Sequence, residues 1–190
     1  MTARTHDLIA FAALTTTAVY YHPQNINLYT LFASVIGCTV GSLIPDADQA
    51  GNRLWDLLPG GDFVSRILRR VFYKHRTITH SLLGTYLLFK GLEWVLPKIF
   101  NSGFVDPKIL LISIMIGFVS HLFADSLTEE GVPLLFPIGI NFGFPPIKSW
   151  RIKTGKWFEN LVIMPGVVLY LVWLIGNYKD PLLKLLKSVN

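Results

Sequence analysis

Long apolar runs separated by short polar breaks organise this chain. They cover Leu8–Tyr21, Leu28–Ile44, Ser81–Phe100, Ile109–Leu127 and Leu161–Tyr178. A helix needs about 20 mostly apolar residues to cross a bilayer. With flanking residues included, the runs predict spans near 5–21, 28–45, 80–100, 109–127 and 161–178. The expected fold is all-α: a polytopic integral membrane bundle of about five spans, within a range of about four to six. Ile109–Leu127 is the cleanest run. Ser81–Phe100 is interrupted by Lys90 and Glu93, whose i, i+3 spacing lets them pair on a helix surface. No repeat or low-complexity linker divides the chain, so residues 1–190 read as one membrane domain with loops 46–79 and 128–160. Inside the first loop, Asp62–Tyr73 has the pattern of a short amphipathic helix. Asp62 is its N-cap candidate, Phe63, Ile67 and Val71 form one stripe, and Arg66, Arg69 and Arg70 form the other. A basic helix of this kind favours an anionic membrane surface.

Composition supports a membrane setting. The chain is 52% hydrophobic and only 15% charged, where soluble domains carry about 25% charged residues. Cys38, the single cysteine, rules out an intrachain disulfide and a cysteine-rich zinc site. It sits in an apolar run, where it serves as a small packing residue. The N-terminal run lacks a small-residue cleavage pattern, so no signal peptide is expected.

Charge then orients the spans. Arg53, Arg66, Arg69, Arg70, Lys74 and Arg76 fall in the first loop, and Lys148, Arg151, Lys153 and Lys156 in the second. The opposite turns are poorer in cations: none in His22–Asn27, and Lys98 and Lys108 between the third and fourth runs. Together with Arg4, this bias places the N-terminus and both loops in the cytoplasm. The segment after Tyr178, with Lys179, Lys184 and Lys187, then falls outside, or Leu182–Leu186 lies flat on a membrane surface.

That topology, drawn from Lys and Arg alone, also brings the chemistry to one side. Four of the five histidines lie near aspartates at the ends of apolar runs. The motifs are His6-Asp7, Pro45-Asp46-Ala47-Asp48, His75-Arg76-Thr77-Ile78-Thr79-His80-Ser81, and His121-Leu122-Phe123-Ala124-Asp125. Ionisable groups near a bilayer core are costly and mark function by default. His with Asp is a hard-to-borderline ligand set for zinc or manganese. His121 and Asp125, at i and i+4, share one helix face. A bound ion would offset the desolvation of Asp46 and Asp48. The metal ligands expected are His6, Asp46, Asp48, His80, His121 and Asp125. Thr79 and Ser81 are candidates to orient them. Each motif also has a plain reading: a helix-end carboxylate beside a capping histidine, an acidic turn, or a basic loop. His22 falls on the far side and is left out.

Together these motifs resemble the YdjM-like family of inner-membrane proteins, described as predicted metal-dependent hydrolases. The residues that carry the resemblance are Thr5-His6, Pro45-Asp46-x-Asp48, His75-Arg76-x-x-Thr79-His80-Ser81, and Gly117-x-x-x-His121-x-x-x-Asp125-x-x-Thr128-x-x-Gly131-Val132. That family is in turn distantly similar to the zinc-dependent phospholipase C and P1 nuclease group, helical enzymes with zinc ions held by His and Asp. The matching order here is Asp46 or Asp48, His80, then His121-x-x-x-Asp125. The group's further His-x-x-x-Glu pair is missing, because no histidine follows Asp125. One or two ions are therefore expected rather than a three-metal cluster; Glu129 and Glu130 could stand in for missing ligands, but nothing in the sequence demands it.

The resemblance implies a membrane-bound hydrolase of the inner (plasma) membrane with its site facing the cytoplasm. Head-group depth and the basic loops point to a lipid phosphate ester. In that reading His75 is a ligand or a proton donor, and Arg76 clamps the phosphate. The alternative is a non-enzymatic metal-binding membrane protein: a sensor, a transporter or an assembly factor. A through-path for transport is disfavoured, because polar residues cluster at one end of the spans. No nucleic-acid recognition motif is present, so no nucleic-acid partner is expected.

Overall fold

A computed structural model describes residues 1–21, 26–47 and 78–187. Its elements are α1 (Ala3–Tyr21), α2 (Leu28–Leu43), α3 (Leu82–Ile99), α4 (Pro107–Ser126), α5 (Met164–Asn177) and α6 (Lys179–Lys187). Short 3-10 turns cover Ile78–His80 and Lys148–Trp150, and a π-helical turn, Glu159–Ile163, leads into α5. Among the described residues there is no strand, only isolated bridges at Thr128–Ile152 and Val132–Phe142. The fold is all-helical, and the helices match the apolar runs to within a few residues. The amphipathic helix expected over Asp62–Tyr73, the cations Arg53 to Arg76, and His22 lie outside the described residues.

Local chemistry explains the helix starts. Asn27 caps α2 by accepting from the Thr30 N–H at 2.7 Å, and Ser81 caps α3 by accepting from the Gly84 N–H at 3.0 Å. Asp106 caps α4 through the N–H groups of Lys108 and Ile109, with Pro107 in the first turn. On α3, Lys90 and Glu93 pair at 2.7 Å, as their spacing predicts.

Contacts at both ends show that α1 to α5 alternate in direction. At one end Glu159, just before α5, bonds to Thr2 and Thr5 at the start of α1. At the other, Tyr20 and Tyr178 meet through their hydroxyls at 3.1 Å, and the Asp106 N–H reaches Thr30 at 2.9 Å. Helices α2 and α4 form the central pair, because glycine lets their backbones approach. A Cβ on Gly41 would overlap the Ile114 carbonyl, and one on Gly117 would overlap the Cys38 carbonyl. Leu96, Val105, Leu110, Leu111 and Ile114 form an apolar core where α3 joins α4.

Polarity is inverted relative to a soluble bundle. Thr30, Ser34, Ser42, Ser113 and Ser120 are buried, whereas Phe32, Ile36, Tyr86, Trp94, Leu169, Val172 and Trp173 face outward. An apolar exterior of this extent needs lipid or protein cover. By length and apolar content two described helices suit a membrane crossing, Pro107–Ser126 and Glu159–Asn177, while the apolar α2 is shorter. Five were expected. The difference lies in α1, which carries Arg4, His6, Asp7 and Thr15–Thr17, and in α3, which carries Lys90, Glu93 and Lys98.

The segment between α4 and Glu159 folds back over the end where α4 finishes. The Leu82 N–H bonds to the Leu134 carbonyl, and Arg151 ties the turn by donating to the carbonyls of Pro145 and Pro146. Its surface mixes exposed Ile138, Ile140, Phe144, Ile147 and Trp150 with exposed Lys148, Lys153 and Lys156.

Candidate metal centre

Three helix ends and a turn converge here. Helix α4 presents His121 and Asp125 one turn apart on its buried face. Past the end of α2, the turn closed by the Ala47 N–H on the Ile44 carbonyl carries Pro45 and Asp46. The 3-10 turn before α3 delivers His80, and the first turn of α1 delivers His6. Gly84 permits the tight approach of that 3-10 turn, since a Cβ there would overlap the Ile78 carbonyl. His6, His80, His121 and Asp125 are fully buried; Asp46 keeps 21% of its side chain exposed.

The distances do not describe ordinary ion pairs. His80 Nε2 lies 3.5 Å from Asp46 Oδ1 and 3.7 Å from Asp125 Oδ2. His121 Nε2 lies 3.7 Å and 3.6 Å from the same two oxygens. These separations exceed hydrogen-bond lengths of about 2.7–3.2 Å. They approach the tetrahedral edge of about 3.4 Å expected for ligands about 2.1 Å from zinc. One ligand atom from each of Asp46, His80, His121 and Asp125 lies within 4.8 Å of the others, so two aspartates and two histidines can hold a metal ion.

Orientation of the rings supports that fit. His121 Nδ1 stands 2.6 Å from the Ser42 carbonyl, which can only accept, so Nδ1 carries the proton. In the neutral ring the Nε2 lone pair then faces the carboxylates, and this atom has no hydrogen-bond partner among the described residues. A ligating histidine is usually held in this way. His80 Nδ1 contacts Thr79 Oγ1 at 3.1 Å, a contact through which the hydroxyl can hold the ring. Ser81 instead caps α3. His6 stacks on His121 at 3.7 Å between ring centroids, with Nε2 3.1 Å from Asp125 Oδ1. It flanks the four-residue cluster rather than completing it. The Met1 amino group also lies 2.6 Å from Asp125 Oδ1.

Electrostatics at the rim are mutual. Burial alone would raise the Asp46 carboxyl, but the facing His80 and His121 rings outweigh it and hold the pKa at about 2. Burial opposes charge on His80, yet Asp125 and Asp46 outweigh that and raise its pKa above the ordinary imidazole value.

Of the expected ligands, His80, His121, Asp46 and Asp125 come together and His6 adjoins them. Asp48, His75 and Arg76 lie outside the described residues. Glu159 was not singled out from sequence. It is buried and accepts from the N–H groups of Thr2 and Gly155, each at 2.7 Å, and from the Thr5 hydroxyl, which anchors the turn carrying His6. An acid at the mouth of an apolar run was its available signal. Ser42 was missed because it acts through a backbone carbonyl, which any residue would supply. Its hydroxyl also donates to Asp7 at 2.9 Å.

The sequence profile of the YdjM inner membrane protein family matches residues 1–180. The chain belongs to that family. It is 32% identical over 163 residues to the uncharacterized protein YvsG of Bacillus subtilis (strain 168), covering 86% of this chain and 88% of that one. It is 31% identical over 132 residues to the inner membrane protein YdjM of Escherichia coli (strain K12), covering 70% of this chain and 61% of that protein. No solved structure matches. A family of inner membrane proteins accounts for the outward-facing apolar side chains, whose natural cover is the lipid bilayer.

Proposed function

We propose that this YdjM-family member is a multi-pass inner-membrane hydrolase, metal-dependent, acting on a phosphate ester of a lipid head group at the cytoplasmic face. The observation that carries the reading is the Asp46–His80–His121–Asp125 cluster, buried at one end of an apolar-surfaced bundle. In this reading α1 to α5 all cross the bilayer. Their alternating direction supports that, and so does the grouping of Lys148, Arg151, Lys153 and Lys156 at the cluster's end.

Asp46, His80, His121 and Asp125 would hold the ion, zinc first and manganese second. Asp48 is a candidate to complete the set, and His6, which flanks it, a candidate to hold a second ion. When bound, the ion supplies Lewis-acid chemistry: it acidifies water toward neutrality and draws charge from the phosphate. The protein's own residues do the rest. Ser42 and Thr79 fix the imidazole rings, and Glu159 holds the His6 turn. Arg76 would clamp the phosphate with its planar fork of donors, and His75 would serve as a ligand or deliver a proton to the leaving oxygen. The exposed lysines draw anionic lipid to that face.

The test is metal analysis of purified protein, followed by phosphate release from vesicles of defined phospholipids with and without chelator. Chelator-sensitive release that returns with added metal supports the hydrolase. A fully metallated protein that releases nothing, with no water in its metal coordination shell by spectroscopy, has a closed site. That outcome would establish the non-enzymatic reading.

A further inference from the structure

A groove of about 1000 Å³ runs along the bundle beside the metal centre. Its floor is α1 and α4, with Ala12 and Thr16 on one side and Ile116 and Val119 on the other. Phe89 of α3 forms one wall, and the chain from Val162 to Tyr170 forms the other. Small residues create the space: Ala12 and Ala13 face Gly166, where an added Cβ would meet nothing within 4 Å.

Three features specify the occupant. Length comes first. The lining of α4 runs from Ile112 to Phe123, which is about 16 Å at the helical rise, close to one leaflet of a hydrocarbon core about 30 Å thick. Continuity is second. The floor and the α5 wall all run to the end of the bundle that holds the metal centre: Ile9 is one turn from His6, the α4 lining stops at Phe123 within a turn of Asp125, and Val162 is one turn from Glu159, which anchors the His6 turn, while His121 itself leaves α4 toward Ser42 of α2. At the far end the groove is crossed by the Thr16–Tyr170 hydrogen bond of 2.8 Å. Charge is third. The segment that covers the metal-centre end exposes Lys148, Lys153 and Lys156, which complement an anionic head group.

We propose that the groove is an acyl-chain slot: one chain of an anionic membrane phospholipid lies along α1 and α4, with its phosphate at the end of the bundle that holds the two-aspartate, two-histidine cluster. The assignment of the phosphate end rests on the hydrolase reading above; the chain end rests on the groove. Substrate then enters sideways from the leaflet rather than from water.

The test uses the full chain in vesicles of phosphatidylethanolamine and phosphatidylglycerol. A tracer of phosphatidic acid carries a photoactivatable diazirine in its acyl chain. Adducts mapped by mass spectrometry should concentrate on Ile116, Val119 and Val167 over the outward-facing Leu169 and Val172. Gly166→Phe fills the open space and favours helix, so groove adducts should fall about tenfold as the chain is excluded. Gly176→Phe, on the same helix and also unobstructed, should leave them unchanged. Ala13→Leu, on the α1 floor facing Gly166, gives a second blocked variant if Gly166→Phe does not fold. Adducts spread evenly over groove and outer faces, adducts indifferent to both blocking variants, or protein–protein crosslinks in their place would overturn the slot. Phosphate release is scored separately. Groove adducts without release leave the slot standing and remove the hydrolase. Release without groove adducts does the reverse.

Discussion

At the residue scale, the candidate centre rests on ring nitrogens held by contacts outside the four-residue cluster. His121 is aimed by a backbone carbonyl and His80 by the Thr79 hydroxyl. His121→Ala and Asp125→Ala should each abolish stoichiometric metal in the purified protein, measured by elemental analysis. Full occupancy in both would favour the plain reading of a helix-end aspartate beside a histidine. Thr79→Val keeps shape but loses the hydroxyl, and should weaken metal affinity about 10- to 100-fold, as loss of a ligand-orienting partner does elsewhere. Competition titration against a chromogenic chelator reads that change. On the hydrolase proposal, Arg76→Lys, which retains charge and loses the fork, should lower kcat/KM on whichever lipid phosphate is cleaved while metal content stays at the wild-type level.

Among the elements, the α2–α4 contact sets the geometry, because α2 leads to Asp46 and supplies the Ser42 carbonyl while α4 carries His121 and Asp125. Gly117→Leu would drive a side chain into the Cys38 carbonyl. Overpacking of this kind costs about 1–3 kcal/mol. The expected result is a lower unfolding midpoint in detergent together with reduced metal content, since the same contact aligns both halves of the ligand set. Retained metal with lost stability would separate packing from site assembly. Glycine at 91, with nothing within 4 Å of an added Cβ, is the matched control: Gly91→Leu should change neither.

For the whole molecule, the arrangement is a bundle with polar chemistry gathered at one end and apolar side chains turned outward. Single cysteines introduced after Cys38→Ala should label residues 140–156 from the cytoplasmic side and residues 22–27 from the other. Cysteines replacing the exposed Arg4 and Leu82, two residues from His6 and His80, should label from one common side; opposite sides would break the shared site. The membrane setting itself was legible in the apolar runs, and so was the helical class. The number of crossings was less so, because α1 and α3 carry charges and hydroxyls whose orientation only packing reveals.

Sequence alone determined what is local. Helical spans follow from the length of the apolar runs, and one turn of helix places Asp125 beside His121 whatever the rest of the chain does. Capping is equally local, as the side chains of Ser81 and Asp106 accept from N–H groups two or three residues on, although neither residue was expected as a cap. Tertiary structure decided everything that joins distant residues. It stacked His6 on His121, although an isolated N-terminal histidine carries almost no signal. It brought Asp46 toward His80 and His121 across the α2–α4 contact, gave Ser42 a role through its carbonyl, and set Glu159 under the first turn of α1. The physical reason is one of range. Periodicity and capping act within a turn or two of backbone, whereas these contacts depend on how closely helices pack, and that closeness rests on glycines whose partners lie far along the chain.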